Sequence, residues 1–312
     1  MFSVFVFGVL PESSGKTTVC TAIVRGLSLR GWNVGVFKPR SGHSYWYHHD
    51  IYAKCSAEGR LYSWDILRLS QAKGGRPLLL EVLNPVDALF SPLDRLSLDE
   101  SSVEVRLSNP FFELVVERYT ILDGRVKSVL CVNGVNFESD SLLFKNWAYV
   151  KRLMDNADKV IIAESLEEWN DVYSNYAPTA IRSCYKKVCS EHEVVVVEGF
   201  NDAVCPDPAL RFNLVLGVAP GAVFCYRGDR FRKAVEVVAG AVRDPRSLEA
   251  RNVLEFLKPE RAVRLPALTS RETSDYELLA RKLGEVVEVV ESEAAKWREN
   301  EEGGRRPATE GG

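Results

Sequence analysis

The sequence predicts an α/β protein with a mostly parallel central sheet and an antiparallel β-hairpin insertion. Two buried strands support the sheet: an apolar, β-favouring run at residues 4–7 and four consecutive valines at residues 194–197. A helix is predicted after the first run, because apolar residues recur at helical spacing from Val19 to Leu27. The hairpin is predicted over residues 112–132, around Asp123-Gly124, a pair typical of a type I′ turn.

The pattern of elements predicts a single domain over residues 1–298, with the hairpin region inserted at about residues 101–141. Residues 299–312 are mostly Glu, Gly and Arg, a composition typical of a disordered tail. Between the second strand and the hairpin, residues 40–50 are predicted as a polar and aromatic loop. Residues 51–72 are predicted as one helix.

The composition of the chain indicates which kinds of partner and which cellular compartment to expect. The chain has 312 residues, of which 46% are hydrophobic and 27% charged, with a net charge of -3. This charge provides no attraction for nucleic acid or for an anionic membrane. No run approaches the roughly 20 apolar residues of a membrane span. Seven scattered cysteines without a C-x-x-C pair indicate a reducing compartment. We therefore expect a cytoplasmic protein with no nucleic-acid or membrane partner.

The stretch from Gly8 to Thr18 joins the first predicted strand to the first predicted helix. It reads Gly-Val-Leu-Pro-Glu-Ser-Ser-Gly-Lys-Thr-Thr, so glycines bound the loop and a Lys-Thr pair opens the helix. A strand, a glycine-bounded turn, Lys-[Ser/Thr] and a helix together form a phosphate-binding loop, or P-loop. In such a loop, backbone N–H groups and the helix N-terminus face the phosphates. The lysine reaches the terminal phosphates, and the threonine hydroxyl ligates Mg²⁺.

The loop departs from the usual spacing G-x-x-x-x-G-K-[ST]. That spacing needs glycine at position 10, where this chain has Leu10, and Pro11 lies inside the longer loop. The flanking strand and helix nevertheless predict a three-layer P-loop NTPase that binds ATP or GTP with Mg²⁺. The predicted nucleotide-binding residues are Glu12, Ser13, Ser14, Gly15, Lys16, Thr17 and Thr18.

Three further polar residues follow predicted strands. Lys38 follows the second strand, at the edge of the sheet where ligands bind in open α/β folds, and could meet a phosphate or carboxylate. An ordinary solvated lysine is the alternative interpretation. Asp50 lies in the loop after the same strand, and Glu198 ends the run of valines, where it could bind Mg²⁺ or position water. Because Mg²⁺ prefers carboxylates beside the P-loop hydroxyl, the predicted metal ligands are Thr17, Asp50 and Glu198.

Together these pieces resemble the dethiobiotin synthetase-like branch of the P-loop NTPases. The matching residues, in the family's order, are Gly8, Gly15-Lys16-Thr17, Gly35 to Pro39, Ser41-Gly42, Asp50, Asn84-Pro85, Ser91-Pro92 and Val197-Glu198-Gly199. The chain is most similar to archaeal predicted P-loop ATPase/GTPase proteins. Val-Glu-Gly-Phe at residues 197–200 also resembles the molybdopterin guanine dinucleotide biosynthesis adaptors.

The resemblance implies Mg²⁺ binding by Thr17, Asp50 and Glu198, and a role for Lys38 on the substrate. With Lys16 at the terminal phosphates, the predicted catalytic residues are Lys16, Lys38 and Glu198. Related enzymes are often dimers, which suggests a homodimer. Dethiobiotin synthetases carry Gly-Thr-Asp-Thr in the loop, whereas this chain has Val-Leu-Pro-Glu at residues 9–12, so we expect a different substrate.

Two functions from different classes fit these observations best, and a kinase of a small acceptor fits less well because no arginine-rich lid is obvious in the sequence. One is an ATP-dependent enzyme that activates an unidentified small-molecule carboxylate or amine held near Lys38. The other is a nucleotide-driven switch or adaptor in cofactor or metal-centre assembly, for which Lys38 would be dispensable. No Asn-Lys-x-Asp guanine signature is present, so ATP is favoured over GTP.

Overall fold

Strands of the described chain form two mixed sheets. The strands are β1 (Phe2–Gly8), β2 (Val34–Phe37), β3 (Arg40–Ser44), β4 (Val86–Phe90), β5 (Leu114–Asp123), β6 (Arg125–Asn133), β7 (Lys159–Ala163), β8 (Val194–Glu198), β9 (Leu214–Ala219), β10 (Ala222–Arg227) and β11 (Arg261–Arg264). Parallel pairs predominate, with some antiparallel pairs, so the α/β prediction is confirmed.

The helices lie before, between and after these strands. They are α1 (Lys16–Leu29), α2 (His49–Glu58), α3 (Trp64–Lys73), α4 (Leu80–Leu83), α5 (Trp147–Asp155), α6 (Leu166–Glu191), α7 (Gly228–Ala239), α8 (Ala250–Leu254), α9 (Ser270–Ser274), α10 (Tyr276–Lys282) and α11 (Gly284–Gly303). Short 3-10 helices cover Pro110–Glu113 and Pro245–Ser247. Within the described residues, no helix combines the length and the apolar character needed to cross a membrane.

The structure is a computed structural model that describes residues 1–75, 78–98, 106, 109–240, 242 and 245–303. Two compact units divide the chain. Unit 1 comprises residues 1–37, residues 69–75 and the chain from residue 188 onward, and unit 2 comprises residues 38–68 and the chain from 76 to 187. Unit 2 therefore interrupts the sequence of unit 1 with two segments, one on each side of residues 69–75. That residues 1–298 form one domain stays a prediction.

Unit 1 contains a six-stranded sheet with strand order β11-β10-β9-β1-β8-β2. Strands β9, β1, β8 and β2 run parallel, and β10 and β11 continue the sheet in antiparallel pairs. Every residue of β1 and β8 is buried, as expected of central strands covered on both faces. Helix α1 follows β1 and packs against α10 and α11. Strand β1, which precedes the Gly8–Thr18 loop, is therefore a direct neighbour of β8, which ends at Glu198.

Unit 2 contains a five-stranded sheet with strand order β3-β4-β5-β6-β7. The predicted hairpin is present as β5 and β6, and it forms the middle of this sheet rather than an appendage. Asp123 does not have the positive φ that a type I′ turn requires, so that turn type is wrong, although Gly124 has a φ of 69°. Residues 101–105, at the start of the predicted insertion, lie outside the described residues.

Three local predictions are corrected by the structure. The predicted loop at residues 40–50 contains β3 and the start of α2. The predicted helix over residues 51–72 is two helices, because Gly59 ends α2 in the left-handed conformation with a φ of 69°. Helix α11 continues to Gly303, so residues 299–303 are not part of a disordered tail. Residues 304–312 lie outside the described residues.

Candidate functional site

Strand β1 ends at Gly8, and hydrogen bonds hold the backbone of Gly8 and Val9 where the loop to α1 begins. Gly8 N–H donates to the Asn201 carbonyl at 3.3 Å, and Val9 N–H donates to the Val218 carbonyl at 2.9 Å. A Cβ atom on Gly8 would lie 2.6 Å from Ser14 Oγ and 2.7 Å from the Leu10 carbonyl oxygen. Only glycine therefore allows the chain to fold back on itself at this point.

The second half of the loop turns sharply before the helix. Ser13 and Gly15 both adopt left-handed conformations, with φ values of 55° and 90°. Backbone in which left-handed residues alternate with others can form a concave nest of N–H groups that binds anions. Ser14, between them, is 3% exposed, and its Oγ accepts a hydrogen bond from Lys16 Nζ at 3.4 Å. Glu12 is exposed, whereas Lys16 is half-buried. The loop therefore holds the Lys16 ammonium group beside the Ser14 hydroxyl.

Helix α1 begins at Lys16, so its N-terminus lies at the end of this loop. Across the described chain, no side chain caps that terminus, and the first turn contains no acidic residue. The N-terminus of a helix carries partial positive charge and presents N–H groups that favour anions. With the Lys16 ammonium group nearby, this end of unit 1 is suited to bind a phosphate.

Glu198 and Thr17 connect the end of β8 to the first turn of α1. Strand β8 lies parallel to β1, and Glu198 is in register with Val6. The Thr17 hydroxyl donates a hydrogen bond of 2.8 Å to Glu198 Oε1, and Glu198 is fully buried. The Thr17 carbonyl accepts a hydrogen bond from Thr21 Oγ1 at 2.5 Å. Two residues that are 181 positions apart in sequence are thus brought into direct contact.

Asn201 is a residue of this region that the sequence reasoning did not select. It has a φ of 46°, and its carbonyl group receives the Gly8 N–H. Asparagine tolerates the left-handed conformation better than most residues, so a Gly-x-Asn turn after a buried strand is the signal that could have identified it. Gly199 N–H also donates to the Val6 carbonyl at 2.8 Å. The segment after β8 therefore supports the start of the loop.

Lys38 belongs to unit 2 and is not a solvated lysine. It is 3% exposed, and its Nζ lies 2.7 Å from Asp65 Oδ2. Its N–H donates to the Leu83 carbonyl, and its carbonyl accepts from Asn84 Nδ2 at 3.0 Å. Asn84 Oδ1 in turn accepts a hydrogen bond from Ser41 Oγ at 2.8 Å. The structure therefore places Lys38 in a buried polar cluster with an acidic partner.

Asp50 also belongs to unit 2, where it lies in the first turn of α2 and is exposed. Its neighbours line a cavity of about 320 Å³ that is rich in aromatic residues. Asp50 is therefore on a helix rather than in the predicted loop. The roles of Lys38 and Asp50 beside Thr17 and Glu198 stay predictions.

The oxygen atoms of Thr17 and Glu198 have the chemistry that Mg²⁺ prefers. Mg²⁺ is usually bound through one or two protein oxygen ligands, water and the phosphates of the substrate. Within the described residues, no group of three or more His, Cys, Asp or Glu side chains is arranged to hold a metal ion. A hydroxyl and a carboxylate beside a phosphate site would thus suit Mg²⁺ that arrives with a nucleotide.

Comparison with known proteins adds no further assignment. No protein-family model matches the chain, and no curated protein matches it at a significant level.

Proposed function

We propose that unit 1 is a P-loop NTPase core with three layers, which binds a nucleoside triphosphate together with Mg²⁺. The observation that carries the proposal is the hydrogen bond between Thr17 and Glu198 at the end of two adjacent parallel strands. It places a hydroxyl and a carboxylate beside an uncapped helix N-terminus and a lysine. This combination matches the parts that phosphoryl-transfer sites use.

Each residue of the site has a distinct task in this proposal. The N–H groups of residues 13–18 bind phosphate oxygens, and the Lys16 ammonium group neutralises the terminal phosphates. Glu12 lies at the exposed rim of the loop. The Thr17 hydroxyl can keep its hydrogen bond to Glu198 while its lone pairs face the metal. When bound, Mg²⁺ supplies charge neutralisation at the phosphate oxygens.

Glu198 is the residue we assign to orienting the Thr17 hydroxyl and, through its carboxylate, the metal or the attacking water. Its burial keeps the carboxylate in a low-dielectric environment, where its interactions with cations and donors are strong. We favour ATP over GTP as the nucleotide that is hydrolysed, because the sequence lacks the Asn-Lys-x-Asp guanine signature.

The nucleotide is proposed to activate a small-molecule carboxylate or amine, as in dethiobiotin synthetase-like enzymes. Lys38 would bind the substrate, and a substrate carboxylate could replace Asp65 as its partner, since both are anions. The proposed enzyme is a homodimer by analogy with that family.

A nucleotide-driven switch or adaptor is the second candidate function. The observation in its favour is that Lys38 is buried and already paired with Asp65 at 2.7 Å. Removing the partner of a buried ammonium group costs free energy, so Lys38 could serve the structure of unit 2 rather than a substrate.

Thermal unfolding with and without Mg-ATP and Mg-GTP tests the nucleotide proposal. A ligand at about 100 times its Kd stabilises the folded state by about 2.7 kcal/mol, which gives a clear rise in Tm. We expect a rise for wild type and for Lys233→Ala, an exposed lysine on α7. We expect a smaller rise for Glu198→Gln. If Tm rises neither with Mg-ATP nor with Mg-GTP, the proposal is contradicted.

Lys38→Ala separates the two candidate functions. An enzyme that uses Lys38 on its substrate should lose substrate-dependent turnover and keep nucleotide binding. A switch should keep its intrinsic hydrolysis in the same variant. Asp65→Asn is the matched control, because it removes the partner and leaves the lysine.

A further inference from the structure

The cavity beside Asp50 in unit 2 has an unusual lining. It has a volume of about 320 Å³. We call it the aromatic recess, and its lining residues are Trp46, Tyr47, His48, His49, Asp50, Ile51 and Trp64.

The exposed tryptophan and tyrosine side chains of the protein are concentrated in this recess. Trp46, Tyr47 and Trp64 are 60%, 79% and 49% exposed. The chain has 6 tryptophans and 11 tyrosines, all of which lie within the described residues. None of the other tryptophans and tyrosines is exposed, so these three rings are a local feature and not a general property of the surface.

With histidine counted as neutral, the formal charge of the lining side chains is negative. Asp50 is the one carboxylate among its lining residues, and the lining contains no lysine or arginine. His48 Nδ1 accepts a hydrogen bond from the Ser44 N–H at 3.1 Å. A phosphate or carboxylate ligand would meet Asp50 without a compensating cation, whereas a cation would be attracted both by Asp50 and by the negative faces of the rings.

The backbone that carries Trp46 and Tyr47 is held in one conformation. Ser44 Oγ accepts hydrogen bonds from Trp46 N–H at 3.2 Å and from Tyr47 N–H at 3.4 Å. The neighbouring Tyr45 N–H donates to the Phe90 carbonyl of β4 at 2.7 Å. These contacts reduce the conformational entropy that the turn would lose when a ligand binds.

We propose that the aromatic recess binds a small organic cation, a substituted ammonium group, between the rings and Asp50. Aromatic rings attract ammonium groups through their quadrupole, and the attraction is greatest for tryptophan. A cavity of about 320 Å³ is large enough for such a group with a short substituent. This site does not depend on the nucleotide, and it gives Asp50 a role other than the predicted binding of Mg²⁺.

Titration with choline, followed by tryptophan fluorescence at constant ionic strength, tests the proposal. The control ligand is 3,3-dimethylbutan-1-ol, which has the shape of choline without the charge. We expect a saturable change in fluorescence with choline and an affinity about tenfold lower for the alcohol. Equal affinities would overturn the proposal, because they would indicate a merely apolar cavity, and so would the absence of a saturable change with choline.

Variants identify the residues that bind. Asp50→Asn should weaken choline binding about fivefold to tenfold, and Asp171→Asn, which removes an exposed carboxylate elsewhere in unit 2, should have no effect. Trp64→Leu should weaken binding by a similar factor, measured by calorimetry because a fluorophore is lost. Circular dichroism shows whether each variant is folded. An unchanged choline affinity in folded Asp50→Asn, or displacement of choline by Mg²⁺ alone, would overturn the proposal.

Discussion

Replacing Thr17 with valine is the perturbation that tests the central contact of the site. Valine keeps the branched shape of threonine and removes the hydroxyl that donates to Glu198 Oε1 at 2.8 Å. Glu198 is fully buried, so water does not readily replace the lost donor. Hydrogen bonds to charged groups contribute about 1.5–3 kcal/mol, and a buried acceptor that loses its donor costs a similar amount.

This loss is large enough to measure by thermal unfolding. For a domain of about 150–250 residues, each 1 kcal/mol shifts Tm by about 2–4 °C, so we expect Thr17→Val to lower Tm by roughly 3–12 °C. The assay is carried out without nucleotide or Mg²⁺, so that the change reports the ligand-free contact. Thr17→Ser keeps the hydroxyl and is expected to unfold close to wild type.

A double-mutant cycle shows whether the effect comes from Glu198. In a Glu198→Leu background the acceptor is absent, so Thr17→Val should cost less than about 0.5 kcal/mol there. Equal stability of Thr17→Val and Thr17→Ser, or an equal cost of Thr17→Val with and without Glu198, would show that this hydrogen bond does not stabilise the protein.

Three further predictions concern Gly8, the cysteines and His192. Gly8→Ala should destabilise the protein by at least about 1 kcal/mol, because the new Cβ would lie 2.7 Å from the Leu10 carbonyl oxygen. Gly284→Ala has open space around the new Cβ and should be neutral or stabilising in thermal unfolding. Cys189 is the one half-buried cysteine, so a thiol reagent should modify one cysteine rapidly in the native protein and the other six only after unfolding. Burial and the nearby Lys73 ammonium group lower the pKa of His192 in the folded protein. The unfolded chain therefore binds more protons than the folded protein, and Tm should fall as the pH drops below 6.5. His192→Gln should make that decline less steep.

Each of these predictions has a contradicting outcome. Equal stability of the two alanine variants would show that the loop can relax around a new Cβ. Rapid modification of several thiols in the native state would contradict the burial of the other cysteines. The histidine assignment fails if the decline of Tm below pH 6.5 is as steep in His192→Gln as in wild type.

Elements with strong local patterns were predictable from the sequence. The apolar run of β1, the valines of β8 and the Asp123-Gly124 pair are local signals, and each lies where the sequence predicted a strand or turn. The position of Glu198 near the loop was also foreseen, because parallel strands end at a common edge of the sheet. The hydrogen bond from Thr17 was not, since it depends on the register of β1 and β8.

Elements that depend on tertiary pairing were not predictable in the same way. Strand β3 reads Arg-Ser-Gly-His-Ser, a sequence with low strand propensity, and it forms by pairing with β4 while Ser41 bonds to Asn84. The break between α2 and α3 had a visible signal in Gly59, which the helical periodicity on both sides obscured. The pairing of Lys38 with Asp65 joins residues 27 positions apart, and no sequence pattern indicates it.

Calorimetric titration of Mg-ATP, and of Mg-GTP in parallel, into wild type and Lys16→Ala tests the central claim most directly. The Lys16 ammonium group lies beside Ser14 at the start of α1, where the proposal places the terminal phosphates. We expect saturable binding to wild type and to the control Lys233→Ala, and at least about a hundredfold loss of affinity in Lys16→Ala. Equal affinity in Lys16→Ala and wild type, or no binding of Mg-ATP or Mg-GTP to either, would contradict the account.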